Sequence, residues 1–465
     1  MSQIENQPKI RRYARARKAR DVRFDGVFFI AVRTTGIYCR PICPANLPLE
    51  KNVEYHESAI SAAQAGFRPC LRCRPDSAPQ SCAWLGTETT FQRALNLIQQ
   101  GALQNHSIET LADRLGISDR YLRELFQSRL GTSPKKYAIY QQCLFAKKLL
   151  HESSLPITDI AFASGFNSVR RFNEAMQQQI GLAPRDIRRR KIEPTHGLNL
   201  KLNYRPPYAW QNLMRFLQAR TIEGLEWSRD GVYGRTISYQ QSRGYLEVEV
   251  VPHEHRFDLT IHLGDYQHLS PITQRVRTLF DVDAPIAEID QHLESELSDA
   301  LDYQRGLRIP GIWGTFEAGI RAILGQQVSV VAAKNLVTTF VQTLGESVQF
   351  EAVPAAHFFP EPSAVVNHSL DFFRMPQSRK DTIRRLAEHF LTADDPDNID
   401  NWLALKGIGP WTANYVKLRA AKDPDIWLAG DAGLKNALKL LECEFDLERM
   451  RPWRSYLTFQ MWNQL

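Results

Sequence analysis

The stretch that decides the fold of the second half of the chain is LKGIGPWTANYVKLRAAKDPDIWLAGD, residues 405–431. Its segment Gly407-Ile408-Gly409 predicts a tight turn, because glycine adopts unusual backbone angles at low cost. Pro410 suits the first turn of a helix that we predict from Trp411 to Ala420. The stretch therefore indicates a helix–hairpin–helix, whose unpaired backbone N–H groups attract phosphate. An ordinary helical hairpin with a glycine turn would show the same pattern.

Asp431 ends this stretch and precedes the apolar-periodic run Ala432–Leu441. One interpretation is a helix N-cap, a position that aspartate favours. The other is a carboxylate close to the sugar of a nucleotide, where it would stabilise the positive charge that builds as an N-glycosidic bond breaks. It could also orient the attacking water. Position and residue type alone leave both interpretations open.

The whole string resembles the helix–hairpin–helix DNA glycosylases, specifically the AlkA-type 3-methyladenine glycosylases. The resemblance implies that Asp431 is the catalytic carboxylate and that electron-rich aromatic rings bind the cationic alkylated base. It also implies hydrolysis without strand cleavage, because Trp411 stands where the strand-cutting members carry a lysine nucleophile. The expected base-pocket residues are Phe216, Trp411, Tyr415 and Trp462, for each of which plain core packing is an equal alternative. The expected DNA contacts of this half are Gly407, Gly409, Thr412 and Gln327.

Length and charge indicate several domains that act on a polyanion. The chain has 465 residues and a formal net charge of +7. Residues 1–200 hold 30 Lys/Arg against 17 Asp/Glu, a balance of +13, and the remainder holds 28 against 34, a balance of −6. The basic first half, with its cluster Arg11–Arg20, favours phosphate contact over a merely solvated surface.

The sequence contains neither a run of about 18 apolar residues nor the apolar core of a signal peptide. We therefore expect no membrane partner and a cytoplasmic, nucleoid-associated bacterial protein. We further expect a monomer that binds double-stranded DNA, both alkylated and promoter DNA, with RNA polymerase as a possible further partner.

Four of the seven cysteines form two close pairs, Cys39-x3-Cys43 and Cys70-x2-Cys73. In a cytosolic chain such clustering favours a metal over disulfides. The spacing suits one tetrahedral zinc ion with four cysteine ligands, and on spacing alone it favours a purely structural zinc ribbon. The other three cysteines are interpreted as structural or incidental: Cys82, Cys143 and Cys443.

The residues around these pairs, Arg33–Pro41 and Ala65–Cys73, resemble the N-terminal domain of the Ada family. The resemblance implies that Cys39 is both a zinc ligand and the acceptor of a methyl group from a DNA methylphosphotriester, with Arg68 at the DNA. Zinc keeps the sulfur as a nucleophilic thiolate, and methylation would remove one negative charge and tighten DNA binding. The chain departs from the family after Cys43, where Asn46 and its neighbours replace the usual basic residue.

Two similar helical segments, residues 107–126 and 157–173, each contain a glycine turn between two helices. A helix predicted over Lys136–Leu150 joins them, and the pair resembles the AraC-type double helix-turn-helix domain. A helical bundle with solvated charges is the alternative. The candidate DNA-reading residues are Arg120, Arg123, Arg170 and Arg171.

The segment around residues 197–290 alternates like strands at Leu198–Tyr204, Gly231–Tyr239, Tyr245–Val251 and Phe257–Leu263, with helices at Tyr208–Arg220 and Pro271–Phe280. It resembles the first subdomain of the AlkA-type glycosylases. In the following helical region, Gln327 stands where a well-known member of the family has a leucine that replaces the flipped base. The resemblance also suggests a monovalent cation held by the carbonyl groups of Leu405 and Ile408.

The predicted fold is multidomain α+β. It comprises a small zinc-bound α/β domain (1–80), an all-α double helix-turn-helix domain (85–192), an α+β subdomain (197–290) and an all-α helix–hairpin–helix glycosylase domain (291–465). The predicted function is removal of alkylated bases, fused to a regulator that senses backbone methylation and activates transcription. Two alternatives remain: a regulator whose second half only binds damaged DNA, and a glycosylase whose first half is only a DNA tether.

Overall fold

A computed structural model describes residues 7–25, 27–57, 61–62, 65–70, 72–73, 89–188, 197–297, 301–350, 353–441 and 446–465. The described chain divides into two compact units. The first contains Met1–Pro206 with Val251–Gln274 and Val282–Pro285, and the second contains Pro207–Val250, Arg275–Asp281 and Ile286–Leu465. None of the described helices has both the length and the apolar character needed to cross a membrane.

The cysteine-bearing part of the first unit is built on a small sheet. Its elements are the helix Gln7–Ala19, the 3-10 turns Val22–Phe24 and Glu50–Asn52, and the strands β1 (Phe29–Val32), β2 (Ile37–Cys39), β3 (Val53–His56) and β4 (Arg68–Pro69). The sheet order is β3-β1-β2-β4, and β4 runs parallel to β2. Tyr13 of the helix stacks on Phe28 with ring centroids 4.1 Å apart, which fixes the basic helix to the sheet.

The basic cluster Arg11–Arg20 lies mostly in this first helix, and one of its members has an internal structural contact. Arg17 is buried, and its guanidinium donates to the hydroxyl of Tyr55 and to the carbonyl of Pro48. Arg17 therefore stabilises the domain, and only the exposed members of the cluster remain for phosphate.

The described residues of the double helix-turn-helix part contain six longer helices and two short ones. They are Thr89–Gln99, Ala102–Asn105, Ile108–Leu115, Asp119–Leu130, Pro134–Glu152, Ile157–Ala163, Val169–Ile180 and Pro184–Ile187. Serine hydroxyls cap four of them, and glycines in the left-handed region end three of them. The two predicted repeats are therefore present, joined by the connecting helix Pro134–Glu152.

The rest of the first unit contains β5 (Leu198–Asn203), paired antiparallel with β9 (Arg256–Leu263), and the 3-10 turn Pro252–Glu254. The helix Leu269–Leu279 begins in this unit. The leucine side chains of β5 are buried, and they alternate with polar residues that are exposed or half-exposed. This is the pattern of a strand with one covered face.

The second unit combines an antiparallel meander with helices. The strands are β6 (Glu226–Arg229), β7 (Val232–Tyr239), β8 (Ser242–Val251), β10 (Ser347–Phe350) and β11 (Val353–His357). The helical elements are Trp210–Gln218, Ile286–Leu297, Thr315–Leu324, Val330–Leu344, Pro362–Asn367, Gln377–Thr392, the 3-10 helix Ile399–Ala404, Pro410–Val416, Ala432–Leu441 and Arg454–Trp462. The helices pack around a core that includes Trp402, which is fully buried.

The structure confirms the predicted fold class and differs in detail. The last region is not wholly helical, because β10 and β11 form a hairpin inside it. The predicted helix Trp411–Ala420 is α-helical only to Val416 and continues as a π-helical turn, Lys417–Ala421. Cys82 and Cys443 lie outside the described residues. The four domain boundaries stay predictions.

Candidate active site and zinc centre

The helix–hairpin–helix turn is held by close packing against a neighbouring helix. Gly407 has φ +100°, and a Cβ there would lie 1.9 Å from Oγ1 of Thr382. Gly407 is therefore required on both conformational and steric grounds. Gly409 lies in open space, and Pro410 begins the next helix, as predicted. The free N–H groups of this helix start can receive a phosphate.

Thr412, one of the predicted DNA contacts, forms a hydrogen bond inside the protein. Its side chain is buried, and its Oγ1 accepts a hydrogen bond of 3.1 Å from Nε2 of Gln326. Only its backbone N–H, near the start of the helix, remains for phosphate. Gln326 is held in turn by Arg379, which donates to its carbonyl oxygen at 2.9 Å. Gln327, the next residue, is exposed and has φ +57°, and it lies in the turn between the helices Thr315–Leu324 and Val330–Leu344.

Asp431 caps the following helix and contacts one of the predicted base-pocket aromatics. Its Oδ1 accepts a hydrogen bond of 2.9 Å from the backbone N–H of Leu434, which is a helix cap, and one of 3.0 Å from Nε1 of Trp462. No hydrogen bond to Oδ2 is found among the described residues. The cap and the indole therefore fix the carboxylate plane and leave one oxygen for a reacting group.

The loop before Asp431 is anchored by the start of the last helix. Ser455 accepts from the N–H of Ile426 at 2.9 Å and donates to the carbonyl of Asp423 at 2.6 Å. Arg454 pairs with Asp425 through Nε and Oδ1 at 2.7 Å. Because Trp462 ends the same helix, one rigid element positions both the loop and the indole that binds the carboxylate.

The predicted base-pocket aromatics form two stacked pairs. Phe216 and Trp462 are nearly parallel, with centroids 6.2 Å apart and an angle of 16° between their planes. Trp411 and Tyr415 stack at 5.4 Å. All four side chains are half-buried, as a pocket wall requires. Of these four aromatics, only Trp462 forms a hydrogen bond with Asp431, so the first pair forms the wall nearest the carboxylate.

The guanidinium of Arg419 joins the two pairs. Its carbon lies 4.9 Å from the centroid of Phe216 and 5.5 Å from that of Tyr415, and it donates to the Tyr415 hydroxyl at 2.9 Å. Arg419 belongs to the π-helical turn, and its Nε donates to the carbonyl of Pro310 at 2.6 Å. Such turns are frequent at functional sites, because the extra residue redirects side chains.

The four clustered cysteines fit a zinc ion. Their sulfur atoms all lie within 4.8 Å of one another, and ideal tetrahedral coordination would place them about 3.8 Å apart. Cys43, Cys70 and Cys73 are buried, whereas Cys39 is half-exposed. The hydrogen bond between Cys39 and Cys43 is the main cause of opposite pKa shifts in the two thiols. It raises the pKa of Cys39 above its usual range and lowers the pKa of Cys43 to about 7. Thiols this close need a cation to ionise together, which zinc supplies.

A backbone N–H group and one buried ammonium group lie beside the cysteine cluster. The backbone N–H of Arg40 donates to the sulfur of Cys73 at 3.3 Å, and its guanidinium forms a buried ion pair with Asp25. Lys147 of the connecting helix is fully buried, and its Nζ donates to the carbonyl of Cys70 at 3.4 Å. The surroundings therefore favour a negatively charged thiolate centre.

The candidate DNA-reading arginines are exposed on the second helix of each repeat. Arg120 and Arg170 occupy equivalent positions, and each forms an exposed ion pair with the glutamate four residues later in its helix. Arg123 pairs with Asp119 at 3.4 Å. Arg171 is also exposed. Such surface pairs are weak, so phosphates or bases can replace them. Arg68 of β4 is exposed too, on the strand that leads to Cys70.

Comparison with known proteins matches three parts of the chain to described families. These are the metal binding domain of Ada at residues 12–76, a helix-turn-helix domain at residues 111–190 and the AlkA N-terminal domain at residues 199–314. A protein of Mycobacterium tuberculosis described as a "probable bifunctional transcriptional activator/DNA repair enzyme AlkA" is 34% identical over 97% of this chain and 95% of its own length. The chain belongs to this family.

Two relatives from Escherichia coli each match one part of the chain. "DNA-3-methyladenine glycosylase 2" is 32% identical over 56% of this chain and 95% of its own length. "Bifunctional transcriptional activator/DNA repair enzyme Ada" is 33% identical over 40% of this chain and 49% of its own length. The family therefore joins an Ada-type zinc and helix-turn-helix half to an AlkA-type glycosylase half, as the sequence predicted.

Two residues beside the carboxylate of this family member were given no function by the sequence analysis. A Cβ at Gly433 would lie 3.0 Å from both Asp431 Oδ1 and Trp462 Nε1. The guanidinium of Arg220 lies over the ring of Phe216. Arg220 lies four residues after the predicted pocket residue Phe216, and Gly433 has no sequence signal beyond its distance from Asp431.

We expect Gly433→Ala to slow base release about tenfold with little change in the melting temperature, because the added methyl must displace the carboxylate or the indole. Single-turnover release of base from alkylated duplex DNA measures this. Ala432→Ser, at the exposed neighbouring position, is the matched control and should keep the wild-type rate. An unchanged rate in Gly433→Ala would show that the close approach has no catalytic value.

Proposed function

We propose that the second half of the chain is a monofunctional DNA glycosylase that hydrolyses the N-glycosidic bond of 3-methyladenine and related alkylated bases. The observation that carries this proposal is the fixed carboxylate of Asp431, with Oδ1 held by the Leu434 N–H and the Trp462 indole. Its free oxygen can stabilise the oxocarbenium-like sugar, or orient the water that attacks it. The product is an abasic site, since Trp411 cannot form a Schiff base.

The remaining parts of the site would extrude and hold the nucleotide. The exposed Gln327 fills the gap left in the duplex, and the helix start after Gly409 holds a phosphate through its N–H groups. A monovalent cation at the carbonyl groups of Leu405 and Ile408 stays a prediction. The Leu405 carbonyl also accepts the N–H of Ile408 at 3.0 Å.

We propose that the first half accepts a methyl group from a DNA methylphosphotriester on Cys39. Its half-exposed position supports this choice, because the other three zinc-binding cysteines are buried. The sulfur–carbon bond forms as the carbon–oxygen bond to the phosphate breaks, which leaves an ordinary phosphodiester anion and a zinc centre with one negative charge less. The bound zinc keeps the sulfur in its thiolate form. The reaction consumes the protein, because no residue in the part of the chain that the structure describes is placed to remove the methyl.

The loss of negative charge would strengthen phosphate binding near Arg68 and at the arginines of the two reading helices, and so switch transcription. We propose that the protein acts as a monomer at the nucleoid and recruits RNA polymerase when methylated.

The experiment that tests the glycosylase is incubation of the zinc-loaded protein with methylated duplex DNA, followed by measurement of free 3-methyladenine. Release with production of uncut abasic DNA is the expected result. A folded protein that binds this DNA and releases no base would instead be a regulator whose second half only recognises damage. Base release without any transfer of methyl to Cys39 would leave the first half as a DNA tether.

A further inference from the structure

The second helices of the two helix-turn-helix repeats present almost the same polar face. Each helix follows a serine cap, and the positions two, five, six and nine residues after the cap lie on one side of an α-helix. The side chains at these positions are exposed in both repeats, and together we call them the reading face. They are Arg120, Arg123, Glu124 and Gln127 in the first repeat, and Arg170, Asn173, Glu174 and Gln177 in the second. The two reading faces therefore differ at a single position, occupied by Arg123 or Asn173.

The residues that the two reading faces share also make the same contacts. Nε of Arg120 lies 3.1 Å from Oε1 of Glu124. Nε of Arg170 lies 3.0 Å from Oε1 of Glu174. Equal contacts at equal positions show that the two helices present these residues in the same register. The exchange of arginine for asparagine is therefore a real difference between the repeats.

The difference extends to the residues that surround this position. NH2 of Arg123 lies 3.4 Å from the carboxylate of Asp119 on its own helix and 3.4 Å from that of Glu109 on the preceding helix. The equivalent places in the second repeat are the first residue of its second helix, Val169, and the second residue of its first helix, Thr158. Both carboxylates are thus present beside the arginine and replaced by uncharged residues in the repeat that has the asparagine.

These two side chains suit different bases. The second helix of a helix-turn-helix enters the major groove with its first turns against the base edges. A guanidinium there donates two hydrogen bonds to O6 and N7 of guanine, whereas a carboxamide accepts from N6 and donates to N7 of adenine. Neighbouring carboxylates orient a guanidinium through charge-assisted hydrogen bonds, and a neutral carboxamide does not require them. The surroundings of each position therefore agree with the base that its side chain recognises.

We infer that Arg123 and Asn173 distinguish two otherwise similar half-sites in the promoter DNA, with Arg123 reading a guanine and Asn173 an adenine. The inference rests on the proposed regulatory function of the first half and adds the DNA sequence that this half recognises. The other three residues of the reading face are the same in both repeats. They therefore contact the same base pairs or phosphates in each half-site.

The test is selection of bound sequences from a library of random, unmodified duplexes. It uses the zinc-loaded full-length protein, before and after incubation with methylphosphotriester DNA. The proteins compared are the wild type, Asn173→Ala and Asn173→Arg, the last of which has two identical reading faces. Gln178→Ala is the matched control, because Gln178 has the same amide group and lies exposed on the same helix outside the reading face.

We expect the wild type to select two similar half-sites that differ at one base pair, with guanine preferred in one and adenine in the other by about tenfold. Asn173→Arg should change the adenine to guanine and so make the half-sites alike. Asn173→Ala should remove the preference at that base pair and leave the other positions unchanged. Gln178→Ala should select the wild-type sequence.

Half-sites that stay unchanged in Asn173→Arg, in a variant with the wild-type melting temperature, would overturn the inference and leave the regulator intact. An equal loss of affinity for all sequences in Asn173→Ala would also overturn it, because that is the behaviour of a phosphate contact. A folded, methylated wild type that enriches no sequence would overturn the proposed regulatory function, and the inference with it.

Discussion

Asp431→Asn is expected to reduce the rate of base release at least about a hundredfold, with folding and DNA binding retained. The amide oxygen of asparagine can still accept the hydrogen bonds that the Leu434 N–H and the Trp462 indole now donate to Oδ1. The substitution therefore keeps the helix cap and the indole contact and removes only the negative charge. That charge is what stabilises the oxocarbenium-like sugar.

The measurement is single-turnover release of 3-methyladenine from methylated duplex DNA, with DNA affinity and the melting temperature determined alongside. Asp371→Asn is the matched control, because the Asp371 side chain is 86% exposed and belongs to no part of the site. If Asp431→Asn released base at the wild-type rate, the carboxylate would be only a helix cap and the catalytic group would have to be sought elsewhere.

Cys39→Ser is expected to abolish methyl transfer from DNA methylphosphotriesters. A serine hydroxyl is a far weaker nucleophile than a zinc-bound thiolate and a poorer zinc ligand, so we also expect weaker zinc binding. After incubation with methylphosphotriester DNA, mass spectrometry of the digested wild type should locate one methyl group on the peptide that contains Cys39. The variant should show no methylated cysteine.

Cys143→Ala provides the comparison for this experiment. Cys143 is fully buried, and burial raises the pKa of its thiol, so it is inert. Its variant should accept methyl as the wild type does. A methyl group found on Cys43, Cys70 or Cys73 would reassign the nucleophile, and half-exposure of Cys39 would then be incidental.

The parts of the fold that local residues determine could be predicted from the sequence. Gly407 and Pro410 define the hairpin because the conformational preferences of glycine and proline act locally. The four cysteines identify the metal site through spacing. The helix-turn-helix repeats follow from apolar periodicity ended by Gly116 and Gly181, which have φ +69° and +72°.

The parts that distant contacts determine could not be predicted in this way. Thr412 has the residue type of a phosphate contact, but packing against Gln326 turns its hydroxyl inward. The π-helical turn at Lys417–Ala421 depends on the bond from Arg419 to Pro310, more than a hundred residues away. Arg220 and Gly433 acquire significance only where Phe216, Asp431 and Trp462 come together. The periodicity of apolar residues along a helix contains no information about contacts between residues that are distant in sequence.

The connecting helix Pro134–Glu152 has a consequence for metal supply. Its Tyr140 hydroxyl contacts that of Tyr38, next to Cys39, and its buried Lys147 donates to the carbonyl of Cys70. The zinc loops and the helix between both DNA-reading repeats are thus folded together. Loss of zinc is therefore expected to weaken both the binding of promoter DNA and the sensing of damage, because bound metal stabilises the folded state by mass action.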